Sequence, residues 1–375
     1  MAKGPPTFSA KDQLFNARSL GDLADEYDAT LSGFDRAGFL EASLSGIPDR
    51  SLMACLDWFA ECLEPYLASD FPTMADQLEA ALPPRLDPTL RDDDFGRFIH
   101  AVPGVLAVRH GLEAHPERAL DLIHAATQRF SMEFYIRPFV NRWPDVTLAR
   151  LRDWAGDGNY HVRRLVSEGT RPRLPWARKV DLTPDQTLPL LDRLHGDGTR
   201  FVTRSVANHL NDIAKFDPDA VLDRLEAWEA SGAQNAREHQ WMQRHAMRTL
   251  IKTGHPRTLD MLGFARDVPV AVTVDIETPQ VMRGDGLAFT VTVTGKRSVP
   301  VLIDYRIRFA RPGGRWVEKV FKLKVGTVTA GSPLVIRKVH KLKADATTFV
   351  LHPGAHGLVV QVNGVDRTEA RFDVI

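Results

Sequence analysis

The sequence predicts a mainly α-helical chain in two parts, a HEAT-like helical-repeat solenoid over residues 1–265 and an immunoglobulin-like β-sandwich over residues 268–375. Three observations predict it. Four segments open on a proline followed by an acid, Pro116-Glu117, Pro144-Asp145, Pro184-Asp185 and Pro218-Asp219, and each carries apolar residues four, seven and ten positions on. A second register, Val162-Arg163-Arg164, Val202-Thr203-Arg204 and Met242-Gln243-Arg244, repeats every 40 residues. From about residue 266 the periodicity switches to two.

At 375 residues, 43% hydrophobic and 26% charged, the chain has the composition of an ordinary soluble protein with room for a large core. The start, Met-Ala-Lys-Gly-Pro-Pro-Thr-Phe-Ser-Ala, lacks the apolar centre of an export signal, and no run has the ~18 apolar residues of a membrane span. Cys55 and Cys62 lie on one helical face without disulfide or zinc spacing, which fits a reducing compartment. The expected location is therefore cytoplasmic.

Residues 11–100 read as compact helices, with apolar steps of three and four in KDQLFNARSLGDLADEYDATL, FDRAGFLEASL and SLMACLDWFAECLEPYLA. Gly-Ile-Pro-Asp, Leu-Glu-Pro-Tyr and Leu-Pro-Pro-Arg separate them. This part carries no evident chemistry and is expected to support the fold.

From residue 115 the proline repeat takes over. A proline suits the first helical turn, where its missing N–H costs nothing, and the acid beside it suits the helix dipole. The stripes are Leu120, Ile123, Ala126; Leu148, Leu151, Trp154; Leu188, Leu191, Leu194; and Leu222, Leu225, Trp228, which assigns Trp154 and Trp228 to the core. Helix pairs at roughly 40 residues have the period of a HEAT-like solenoid, whose concave side is the usual binding surface. The spacings between prolines, 28, 40 and 34 residues, are irregular, and a plain α-bundle is the alternative.

Seven alternating runs then follow: VAVTVDIE, LAFTVTVTG, PVLIDYRIRFA, RWVEKVFKLKVG, SPLVIRKVHKLK, HGLVVQVNG and RTEARFDVI. Short β-branched runs between Gly, Pro and polar turns predict a sandwich. Its Arg306, Arg308, Arg311, Arg315, Lys319, Lys322, Lys324, Arg337, Lys338, Lys341 and Lys343 could meet phosphates or protect sheet edges.

Charge is segregated although the total is balanced at 48 basic and 48 acidic residues. Residues 11–100 hold seven basic and 18 acidic residues, residues 268–375 hold sixteen and nine, and Arg129–Arg178 holds ten arginines against five acids. Such segregation fits a polyanion met by some faces and avoided by others, or solvated faces with no partner. Glu133, Glu168 and Asp212 are acids set among arginines on helices expected to line the inner side, with Trp154 and Trp176 near in sequence. His161, His209, His239 and His245 lack metal-helix spacing. Phosphate-cradling glycine loops, zinc-protease helices and Gly-x-Ser-x-Gly elbows are absent from the sequence.

The run Phe134–Trp176, with Arg137-Pro138-Phe139, His161-Val162-Arg163-Arg164, Ser167-Glu168-Gly169 and Arg171-Pro172-Arg173-Leu174-Pro175-Trp176, resembles the AlkC branch of the AlkC/AlkD DNA alkylation-repair glycosylases. So do Asp12-x-Leu14-Phe15-Asn16 and Arg204-Ser205-Val206-Ala207-Asn208-His209-Leu210-Asn211-Asp212, and the resemblance spans about residues 11–265. It implies a monofunctional glycosylase that removes cationic N-alkylated bases, of the 3-methyladenine and 3-methylcytosine type, from duplex DNA without base flipping. It implies Glu168, Asp212 and Glu133 as the catalytic acids and Trp176 as a contact to the lesion's deoxyribose or backbone. Arg137, Arg163, Arg164, Arg171, Arg173, Arg204, His161 and Asn208 are implied as further DNA contacts. The expected enzyme is a nucleoid-associated monomer that needs no metal or cofactor and no membrane. The alternative reading is a non-catalytic helical-repeat scaffold that binds nucleic acid or protein; a third is an adhesion or sugar-binding role for the sandwich.

Overall fold

The computed structural model describes residues 10–92, 94–344 and 350–375. The opening residues 1–9, read above for an export signal, lie outside them. The chain divides into two compact units, the first ending at Ala246 and the second running from Met247 to Ile375. The division falls before the change of periodicity near residue 266.

The first unit is helical: α1 (Ala10–Leu14), α2 (Ala17–Asp28), α3 (Arg36–Ser45), α4 (Leu52–Leu63), α5 (Phe71–Ala80), α6 (Val102–Leu106), α7 (Pro116–Thr127), α8 (Ile136–Arg142), α9 (Pro144–Trp154), α10 (Tyr160–Gly169), α11 (Pro184–Leu194), α12 (Arg200–Ile213), α13 (Pro218–Ser231) and α14 (Ala236–Ala246). Local chemistry sets many of their starts. Asn16 and Ser19 form a reciprocal capping box on α2, and Asp35, Ser51, Asp70, Asn159 and Asp217 accept from free N–H groups of the turns they precede. The four repeat prolines each occupy the first position of α7, α9, α11 and α13. All twelve residues of the apolar stripes are buried. Val162, Val202 and Met242 are fully buried on α10, α12 and α14, the second helices of the pairs, and α10 packs on α12 as α12 packs on α14. This is the helical-repeat stack the periodicity predicts. A π-helical turn, Ala107–Gly111, which the pattern does not announce, extends α6. Among the described residues no helix is long and apolar enough to cross a membrane.

The second unit begins with α15 (Arg248–Thr253) and α16 (Pro256–Met261) and continues in β1 (Val270–Ile276), β2 (Gln280–Val281), β3 (Gly286–Gly295), β4 (Val299–Arg311), β5 (Arg315–Val328), β6 (Leu334–Lys341), β7 (Gly354–Val362) and β8 (Val365–Val374). The sheets run β1-β3-β6 and β2-β8-β7-β4-β5. Phe289, Tyr305, Phe309, Leu358 and Phe372 fill the core of this immunoglobulin-like domain. The seven alternating runs are seven of the strands. The two-residue β2, paired in parallel with β8, is too short to alternate. Helices α15 and α16 join this unit because Leu259, Phe264 and Leu302 form a small shared core. The approach is close: a Cβ on Gly254 would lie 2.9 Å from Cα of Gly364. Gly364 and Asn363, both at positive φ, make the two-residue β7–β8 turn that an Asn-Gly pair favours.

Candidate functional site

Helix α12 presents Ser205, His209 and Asp212 at steps of four and three, so the three side chains line one face. That face meets the last turn of α10. Ser205 Oγ donates to Glu168 Oε2 at 2.6 Å, and the His209 Nδ1–H donates to the Ser167 carbonyl at 3.0 Å. Beyond the end of α10, Arg171 reaches both acids: Nη1 donates to Glu168 Oε1 at 2.6 Å, and Nε and Nη2 donate to Asp212 Oδ2 at 3.0 and 2.9 Å. Lys215 Nζ holds the other Asp212 oxygen at 2.8 Å. One turn before Glu168, Arg164 lies 3.8 Å from its Oε2 and donates to Glu133 Oε2 at 2.8 Å, an oxygen Ser131 also holds at 2.7 Å. The structure therefore brings all three sequence-derived acids into one cluster, with Glu168 5% and Asp212 3% exposed.

The charge states follow from these neighbours. Burial pushes the Glu168 carboxyl up, but Arg164, Arg171 and the Ser205 hydrogen bond outweigh it and leave Glu168 below the usual glutamate value. Glu168 is thus a carboxylate at neutral pH, not a proton donor. Burial lowers His209 to about 4, so its ring is neutral, and its Nε2 has no hydrogen-bond partner. His161 is likewise lowered to about 4 by burial and packs against Tyr160 and Phe201. It is a core residue.

The arginines divide in a way the sequence does not show. Arg137 is fully buried on α8 and donates to the carbonyls of Gly169 at 3.0 Å, Arg171 at 2.9 Å and Arg178. Burial, reinforced by Arg171, lowers its guanidinium to about 10. One turn on, Asn141 donates to the Lys179 carbonyl and accepts from the Asp181 N–H. Arg137 and Asn141 thus clamp the main chain of residues 169–181 from one helix face, in place of the phosphate contact expected of Arg137. Arg163 pairs with Asp197 at 2.6 Å and caps the Asp157 carbonyl, bracing two repeat loops. Arg164 is spent on the acid cluster and lies under the Phe201 ring. Arg204 pairs with Asp92, and Asn208 accepts from His245 when that ring carries its proton on Nε2. Phe95 packs on Phe201, whose N–H donates to the Arg91 carbonyl, so the acidic Arg91–Phe95 segment runs beside the start of α12. The sequence reading had assigned this segment only to a supporting role.

The loop after α10 carries the exposed groups. Arg173 is exposed and pairs with no carboxylate among the described residues, and Arg178 and Lys179 are exposed beside it. Trp176 is 77% exposed, with a left-handed φ of 63° that few non-glycine residues adopt. It lines a cavity of about 390 Å³ with Met53, Asp57, Val108, Phe134 and Tyr135, and none of the three acids lines that cavity.

Two family models match the chain: that of the DNA alkylation repair enzymes over residues 130–250 and that of the C-terminal Ig-like domain of uncharacterised protein YhaZ over residues 271–375. Uncharacterized protein YhaZ of Bacillus subtilis (strain 168) is 31% identical over 270 residues, covering 71% of this chain and 74% of that protein. Among solved structures, the Pseudomonas fluorescens alkylpurine DNA glycosylase AlkC, bound to DNA containing an abasic site analog, superposes with a TM-score of 0.86 at 30% identity. That match covers 98% of this chain and 100% of the Pseudomonas one.

Proposed function

We propose, from the premise that this chain belongs to the AlkC-type DNA alkylation-repair family with an appended immunoglobulin-like domain, that it is a DNA glycosylase acting on cationic N-alkylated bases in duplex DNA. The observation that carries the reading is the convergence of Glu168 and Asp212 from adjoining helices on one guanidinium. A base bearing a fixed positive charge leaves without help from an acid, because the electrons of the C1′–N bond neutralise it. The sugar then becomes an oxocarbenium ion, which ionised carboxylates stabilise. Water adds at C1′, and its proton passes to a carboxylate or to solvent. An acid held in its charged form suits this role, and the low-lying Glu168 carboxyl fits it.

DNA contacts are assigned to the exposed loop after α10, through Arg173, Arg178, Lys179 and the Trp176 ring against the lesion's backbone. Arg137, Asn141 and Arg163 hold that surface from behind. Bases of the 3-methyladenine and 3-methylcytosine type are the proposed substrates, and a monomer working near the nucleoid is the proposed state. The test is release of free base from methylated duplex, identified by mass. Glu168→Gln should lower the rate by about 10²-fold or more with duplex affinity retained. Absence of any release by the unaltered chain would leave the scaffold reading in its place.

A further inference from the structure

The cavity beside Trp176 has a chemistry the proposed reaction at the acid cluster leaves unused. One wall comes from the N-terminal helices, with Met53 and Asp57 on α4 and Val108 in the π-helical turn. Such turns recur at functional positions. Opposite stand Phe134, Tyr135 and the loop residue Trp176. The walls are thus largely apolar and aromatic, with two polar groups left open. Tyr135 is 8% exposed and its hydroxyl has no hydrogen-bond partner among the described residues. Burial, with the charge of Asp57 adding to it, raises that phenol, so it stays an O–H. Asp57 is exposed, and its carboxylate pairs with no cation among the described residues. The nearby Arg109 is drawn to Glu64 at 2.7 Å and offers Asp57 only a weak bond to its main-chain carbonyl.

A buried hydroxyl without a partner costs about 1–3 kcal/mol, which a ligand could recover. Aromatic walls select a flat ring, and an open carboxylate selects N–H donors and repels phosphate. Those requirements describe an amino-bearing nucleobase free of its sugar phosphate. We propose that this cavity binds a free aminopurine base, the leaving group of the reaction, with Asp57 accepting from the amino group and Tyr135 bonding a ring nitrogen. The proposal rests on the glycosylase reading for the origin of the base but not for its binding.

Calorimetric titration of the full chain with free 3-methyladenine, and with adenine, tests it without DNA or turnover. Saturable binding of either base is expected below millimolar concentration. Asp57→Asn should weaken it by about tenfold or more, as should adding a phosphate by titrating adenosine monophosphate instead. Val108→Phe, which fills the cavity and removes no polar group, should abolish it in a chain whose thermal melt shows it folded. No heat up to millimolar base, equal affinity for the monophosphate, or unchanged binding by folded Asp57→Asn or Val108→Phe protein would each overturn the proposal. Base binding by a chain that releases no base would defeat the glycosylase reading alone, whereas release with no base binding would defeat only the pocket.

Discussion

Arg171 decides the state of both acids, because one guanidinium satisfies an oxygen of Glu168 and an oxygen of Asp212. Removing it leaves Glu168 with burial working against ionisation and only Arg164 and Ser205 in opposition. In an Arg171→Gln variant the acid limb of the release rate should therefore move to higher pH, since Glu168 must be ionised to act. Arg171→Lys returns the charge but not the planar fork, so the limb should return towards its original position while the rate stays about tenfold or more down. A glutamine variant with the original pH profile would show that Arg171 does not govern Glu168. At this scale the acids were legible: charge of one sign among charge of the other marks a cluster. The tasks of Arg137, Arg163 and Arg204 were not, because a sequence states a guanidinium's presence and helix but not which way it points. Arg163 and Arg164 are neighbours in the chain, yet one braces loops at Asp197 and the other faces Glu133.

At the scale of elements the helical repeat was legible because proline at the first turn and the three-position stripe are local signals, and all four helices begin where those signals lie. The clamp of α8 on the loop after α10 was not, since it depends on two helices meeting closely. Gly169 permits that meeting: a Cβ there would lie 2.5 Å from Cγ2 of Ile136. The approach lets Arg137 bond the Gly169 and Arg171 carbonyls at the C-terminal end of α10, where a cation is favoured. Gly169→Ala should lower thermal stability by about 1–3 kcal/mol, the usual cost of overpacking, and release the loop to faster hydrogen exchange at residues 170–179. Stability lost without a change in exchange there would place the strain elsewhere. In the sandwich, Arg306, Arg308 and Arg337 are neutralised by Glu318, Asp366, Glu369 and Glu277. The exposed Lys322 and Lys324 lie on β5, at the edge of the larger sheet, where lysines discourage strand-to-strand association.

For the whole chain, buried titrating groups give the two units different responses to acid. In the helical unit, His161 and His209 sit near 4 when folded against an ordinary value of 6.5. Between those values the unfolded chain takes protons that the folded one refuses, so stability present above 6.5 is lost as pH falls towards 4. For fully buried His209 the loss is on the order of 3 kcal/mol. Glu168, depressed when folded, adds a loss of the same sign in stronger acid. The sandwich holds opposed groups. His340, lowered to about 4, acts as the helical histidines do, but burial raises Asp304 from 3.8 to about 6, so protonating it in the same interval favours the folded state. The helical unit should therefore lose hydrogen-exchange protection at a higher pH than the sandwich, read by mass spectrometry on peptides from residues 144–246 and 286–362. Asp304→Asn, neutral at every pH, should leave the helical unit's transition in place and make the sandwich more sensitive to acid. Loss of protection in the sandwich first, or in both units at one pH, would show that these buried groups do not set the order.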